Sequence, residues 1–237
     1  MSQEIPVIDI SPFYSKDHLT RAQLGREIDK ACCEVGFFAI ANHGVDLHLL
    51  KALKEEAKNF FSLPVAEKLL TPRPAPHILR GYSPILEESL YSTIGVQNME
   101  DLKESFTFGN PDVDPNDPYY FTPTAIEAGH FVPNAWPNRP SKFGEIMVEF
   151  YREMNTLAEN MHKIFALALG LEEDYFSQMI NKPFSMARII NYPAQTIPPE
   201  ANQIRAGEHT DYDNLTLLTG RGGFRRFASE GTRWALD

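Results

Sequence analysis

The sequence predicts an α+β protein in which an antiparallel sandwich starts late in the chain and is left incomplete. Three observations predict it. Apolar residues recur at helical spacing through residues 143–169. Residues 102–108 alternate in the manner of a half-buried strand, and 184–192 read as another strand. Short strands and helices interleave before residue 62.

Composition bounds the function. At 237 residues, 43% apolar and 23% charged, the chain reads as a soluble globular protein of one large or two small domains. Its formal charge of −10 argues against nucleic acid, whose phosphates select basic surfaces. No apolar run approaches the ~20 residues of a membrane span, and residues 1–6 lack a basic region followed by an apolar block. Cys32 and Cys33 are neighbours in a predicted helix, where ordinary disulfide geometry is out of reach. A reduced, cytoplasmic chain is expected. With no second cysteine pair, zinc held by thiolates is not.

In chain order, residues 5–10 are β-branched and alternating, and suit an edge strand where Pro6 is tolerated. Residues 19–35 read as a helix with Leu24, Ile28, Ala31 and Val35 on one face and Gly36 at the stop. Residues 37–41 follow as a buried strand closed by Asn42-His43-Gly44. Asp46 caps a helix whose stripe is Leu50, Leu53, Ala57 and Phe60, a core face that ends before Pro64. The proline-rich stretch 71–83 enters a sheet. Residues 109–140 hold seven prolines and read as a long irregular wrap. The helix at 143–169 spans about 40 Å, enough to brace a sheet from outside. A short helix over 172–180 follows, then a loop over 193–206 and a strand or its mouth over 209–218.

The chemistry concentrates at Glu208-His209-Thr210-Asp211. In an extended backbone His209 and Asp211 point to one face and can reach one metal ion together. With one further imidazole they would form the 2-His-1-carboxylate triad of non-haem Fe(II), which leaves coordination positions open. Glu208 is either an orienting neighbour or a solvated rim carboxylate. His43 is expected to bond backbone, His162 to be a satisfied interface residue, and His77 and His130 to lie exposed in loops.

Taken together, Ile5-Pro6-Val7-Ile8-Asp9, Gly36-Phe37-Phe38 with Asn42-His43-Gly44, Gly81-Tyr82, the run from Asp101 to Phe106, Asn134-Ala135-Trp136-Pro137, Asn191-Tyr192-Pro193, and Glu208 to Asp211 with Leu215-Thr216-Leu217-Leu218 form an ordered set. It resembles the isopenicillin N synthase-like 2-oxoglutarate and Fe(II)-dependent oxygenases over residues 5 to about 219. The resemblance implies a double-stranded β-helix (jelly-roll) core with an N-terminal mixed α/β region and the long helix bracing it. Residues 1–110 would be the N-terminal dioxygenase region, 111–219 the long helix plus the first part of the jelly roll, and 220–237 an atypical tail. It implies His209 and Asp211 as iron ligands, Tyr192 facing the co-substrate, and Fe(II), 2-oxoglutarate and O2 as the cofactor set. The implied activity is oxidation of a small molecule of secondary metabolism, and an ethylene- and succinate-forming branch stays open.

The family pattern continues with a second histidine and an Arg-x-Ser pair that grips the distal carboxylate of 2-oxoglutarate. None of the 26 residues after Asp211 is histidine, and four of the twelve arginines fall in residues 220–237. Two expectations stand side by side: a truncated, altered-end oxygenase with weak iron binding, and a non-catalytic remnant or binding module. A zinc hydrolase built on His209 and Asp211 lacks a third ligand and a nucleophile.

Overall fold

A computed structural model describes residues 5–87, 101–194, 205 and 214–220. The chain divides into two units: residues 1–45, 153–182 and 211–237 in one, 46–152 and 183–210 in the other.

In the first unit β1 (Val7–Asp9) pairs in parallel with β2 (Ala39–Ala41), Ile8 opposite Ile40. The strand expected to be buried is only half-buried, and Phe37 lies 45% exposed ahead of it. Helix α1 (His18–Glu34) begins at Asp17, whose carboxylate accepts the backbone N–H groups of Leu19 and Thr20. That cap satisfies two of the donors a helix start leaves open. Leu24, Gly25, Ile28 and Ala31 form its buried face. A side chain at Gly25 would meet the Leu167 carbonyl group at 3.0 Å, so the small residue sets how closely the two helices approach.

The helix containing Leu167 is α5 (Phe143–Ala168), the longest in the chain among the described residues. Its residues 143–152 belong to the second unit and 153–168 to the first. Within the first unit Leu157, Met161, Ile164 and Ala166 are buried along it. The expected stripe is confirmed in outline: Phe150, Met154, Phe165 and Ala168 are half-buried, and Tyr151 joins the buried set.

The second unit carries the larger sheet. Strands β3 (Gly81–Ser83), β4 (Glu104–Gly109) and β5 (Met186–Asn191) form an antiparallel ladder in that order. Helix α2 (Leu47–Phe61), capped by Asp46, buries Leu49, Leu53, Ala57 and Phe60. The stripe thus starts at Leu49, while Leu50 is half-buried. A four-residue helix α3 (Val65–Lys68) follows, which sequence periodicity did not reveal. Phe60, Phe106 and Phe143 meet with ring centroids 4.9 to 5.2 Å apart, and Tyr82, Phe108, Met147 and Tyr151 complete the cluster.

Further expectations are corrected. β4 is buried at every residue and not half-buried, because both of its faces are covered. The 109–140 segment contains a 3-10 turn at Pro118–Phe121 and helix α4 (Pro123–Glu127), each started by a side-chain cap from Asp117 and Thr122. The helix expected over 172–180 shrinks to α6 (Ser177–Ile180). Residues 214–218 form no strand. Among the described residues no helix is long and apolar enough to cross a membrane.

Candidate active-site face

The sheet of the second unit has two unlike faces, and the strand register assigns each residue to one of them. On one face Phe106 and Phe108 of β4 lie beside Tyr82 of β3 and Ala187 and Ile189 of β5, all in the aromatic core. On the other face Ser105 lies between Ser83 and Ile190, and Thr107 between Gly81 and Arg188. Strand alternation dictates the split. The polar face is open along β5, where Met186 and Ile190 are 40% and 39% exposed.

Ser105 and Thr107 are 1% and 2% exposed. Among the described residues neither hydroxyl has a hydrogen-bond partner. A buried hydroxyl without a partner costs about 1–3 kcal/mol. Two of them lie side by side on one face, where an ordered water or a polar ligand would satisfy them.

Tyr192 follows β5 directly, and continued alternation puts it on the side of Arg188 and Ile190. Burial raises its phenol above the ordinary range, and the Asp101 carboxylate adds to the rise, while Arg205 and Arg188 oppose it. Asp101 is itself fully buried and paired with Lys103, Nζ to Oδ2 at 3.0 Å. The residue carried over from the family motif therefore feels two arginines and the carboxylate of a buried lysine–aspartate pair, on the sheet side that also carries the two buried hydroxyls. Cationic groups around a phenol fit an acidic keto acid.

Two glycines set the rim. Gly81 has φ +88°, and a Cβ there would meet the Thr71 carbonyl oxygen at 2.6 Å, while Tyr82 N–H donates to that same oxygen at 2.8 Å. The Gly-Tyr of the motif is thus needed to start β3 against residues 71–72. Gly109 ends β4 where any side chain would collide with the Arg80 guanidinium. The Asn134 amide grips that end of the strand on both sides, donating to Gly109 O at 2.9 Å and accepting from Gly109 N at 2.8 Å. The asparagine of the Asn-Ala-Trp-Pro motif is thereby explained, and Trp136 stacks 6.1 Å from Phe106.

The remaining site expectations fare unevenly. His209 and Asp211, the expected iron ligands, lie outside the described residues, as does Glu208. Among the described residues there is no group of three or more histidine, cysteine, aspartate or glutamate residues able to hold a metal. His43 accepts the Val45 N–H through Nδ1 at 3.2 Å, as expected of a turn residue. His162 is satisfied at both nitrogens, by Ala158 O and by Asn214 Nδ2. His77 is exposed. His130 is not: it is half-buried, 4.1 Å from the Phe184 ring, because the wrap folds back onto β5's approach. Cys32 and Cys33 are free and exposed, without a disulfide. Sequence reasoning missed Ser105, Thr107 and Glu104. For Ser105 and Thr107 the signal is the polar half of an alternating strand, a pattern that by itself reads as a solvated face, while Glu104 shares the core face with Phe106 and Phe108.

Residues 5–139 match the family model described as non-haem dioxygenase in morphine synthesis N-terminal. The chain is 30% identical to the 2-oxoglutarate-Fe(II) type oxidoreductase hxnY of Emericella nidulans, over 90% of this chain and 60% of that protein. It is 32% identical to the clavatol oxidase claD of Penicillium crustosum, over 90% and 65% respectively. Its fold is similar to that of a full-length Neurospora crassa protein crystallised in complex with alpha-KG, with a TM-score of 0.69, 26% identity, and coverage of 88% of this chain and 61% of that one. The chain spans a little under two thirds of the length of these relatives. It belongs to the 2-oxoglutarate and Fe(II)-dependent non-haem dioxygenase family.

Proposed function

We propose that the protein is an Fe(II)- and 2-oxoglutarate-dependent oxygenase of secondary metabolism, acting on a small polar molecule. The observation that carries this reading is the polar face of the β3–β4–β5 sheet. It sets the Tyr192 phenol, Arg188 and two buried hydroxyls on the side away from the aromatic core. Membership of the family supports the cofactor set of Fe(II), 2-oxoglutarate and O2.

In this reading His209 and Asp211 supply an imidazole and a carboxylate to iron. Iron held by these two residues would supply the activation of O2 with a keto acid that oxidises an unactivated C–H bond. Tyr192, with Arg188 nearby, meets the keto acid. Ser105 and Thr107 take up hydrogen bonds from the substrate, which suits a molecule with its own donors or acceptors. The name of the clavatol oxidase speaks for a small organic substrate in a relative of this chain.

The test is to follow succinate released from 2-oxoglutarate in the presence of Fe(II) and a panel of small hydroxylated and amino compounds. The reading expects release that depends on iron and rises with one class of compound. Succinate formation that is independent of iron would overturn it.

A further inference from the structure

Tyr192 stands one residue beyond the ladder that holds β5. The last register pair is Glu104 opposite Asn191, and Pro193 has no N–H with which to extend the strand. A residue before proline is biased toward extended backbone but is not fixed within that region. The direction of the phenol therefore needs another restraint.

One side-chain bond supplies it. Asn191 Nδ2 donates to Glu104 Oε1 at 2.8 Å. Glu104 is in turn held at its other oxygen, which accepts from Lys68 Nζ and from the Tyr82 hydroxyl, both at 2.6 Å. Lys68 Nζ also donates to the Phe61 carbonyl oxygen at 3.2 Å and lies over the Tyr82 ring. Lys68, Tyr82 and Glu104 are 4%, 2% and 4% exposed. Helix α3 and strands β3, β4 and β5 thus converge on a single carboxylate.

A buried ion pair is weak evidence of stabilisation, since packed apolar residues often replace one without loss. Here an aromatic core already fills the same face of the sheet. What the carboxylate adds is a fixed point at the end of β5. Asn191 and Tyr192 project to opposite faces, so a turn of the backbone at Asn191 swings the phenol across the polar face.

We propose that Glu104 is a positioning residue for Tyr192: it holds the Asn191 amide from the core side and so aims the phenol into the site on the other side. The proposal rests on the reading that Tyr192 meets 2-oxoglutarate. Losing the clamp leaves iron binding intact and weakens the keto acid.

Anaerobic calorimetry of 2-oxoglutarate binding to the Fe(II)-loaded protein tests it, with melting temperature recorded for each variant. Glu104→Gln and Asn191→Ala are expected to raise the Kd roughly tenfold, as for one charge-assisted hydrogen bond. Asn191→Ala leaves Glu104 paired with Lys68 and Tyr82, so it serves even if Glu104→Gln fails to fold. The exchanged pair Glu104→Gln with Asn191→Asp reverses the direction of the bond and is expected to restore the Kd. A purely structural clamp would lower the melting temperature and leave the Kd of the folded protein unchanged, and that result overturns the proposal. Tyr192→Phe separates the two layers. If it raises the Kd while Glu104→Gln and Asn191→Ala do not, the positioning role is wrong and the Tyr192 reading survives. If Tyr192→Phe leaves the Kd unchanged, the reading beneath the proposal is wrong and the proposal falls with it.

Discussion

Thr107 lies directly opposite Arg188 across β4 and β5, on the face of the sheet turned away from Phe106 and Phe108. A buried hydroxyl without a partner among the described residues, next to a cationic side chain, is a place where a polar ligand or an ordered water would be held. Thr107→Val keeps the shape and removes the hydroxyl. Stability is expected to rise by about 1 kcal/mol, since an unsatisfied group is lost, while substrate KM rises. Urea unfolding and steady-state kinetics check the two halves, and an unchanged KM would detach Thr107 from the site.

Lys68 and Glu104 behave in the opposite sense. Lys68→Met leaves a buried carboxylate without its cation, which costs about 3–5 kcal/mol. Replacing both, as Lys68→Met with Glu104→Leu, is expected to recover part of that loss, and equilibrium unfolding in urea measures it. A double variant worse than the sum of the singles would show that the pair is not a unit.

The aromatic cluster anchors the same sheet from its core side. Phe106 is fully buried and touches Phe60, Phe143 and Trp136. Phe106→Ala is expected to cost about 3–5 kcal/mol through the cavity it leaves. Phe37→Ala, at a side chain 45% exposed, should stay within about 0.5 kcal/mol. Denaturant midpoints of the two variants compare them directly.

Two buried tyrosines make the fold sensitive to alkali. Burial pushes the Tyr151 hydroxyl from its ordinary 10.0 up to about 12. The Tyr82 hydroxyl is raised further, by burial and by the Glu104 carboxylate that accepts its hydrogen bond. A raised folded pKa means that the stabilising contribution is complete below about pH 10 and is lost as pH rises toward the folded value. Urea unfolding between pH 9 and about pH 12 is expected to show falling stability, less steeply in Tyr151→Phe. That variant should be slightly weaker at neutral pH, having lost the bond to Ser185 O at 3.0 Å. Parallel pH profiles for variant and parent would remove Tyr151 as a cause.

The long helix was legible because its period is carried by more than two dozen consecutive residues, and the cap at Asp46 because it precedes an apolar stripe, whereas the cap at Asp17 emerged only in the structure. β4 was legible as a strand but not as a strand buried on both faces. Alternation reports which residues share a face and is silent on what covers it. Leu49 displaced Leu50 from the stripe because positions four and three before Leu53 both neighbour its face of the helix, and spacing alone does not choose between them. α3, α4 and α6 are too short for periodicity to register. At the site, Tyr192 was reached through its motif. Glu104 lay within a quoted motif, but its role depends on Lys68, Tyr82 and Asn191, partners that lie 36, 22 and 87 residues away in sequence. Gly81, Gly109 and Asn134 show the same limit, since each answers to a close approach that only folding creates.

The most direct test of the central claim is Fe(II) binding together with succinate formation from 2-oxoglutarate, in the parent protein and in His209→Ala and Asp211→Ala. The account predicts weak iron binding and iron-dependent succinate release in the parent, and that either substitution removes both. Iron binding and succinate formation that survive both substitutions would contradict it.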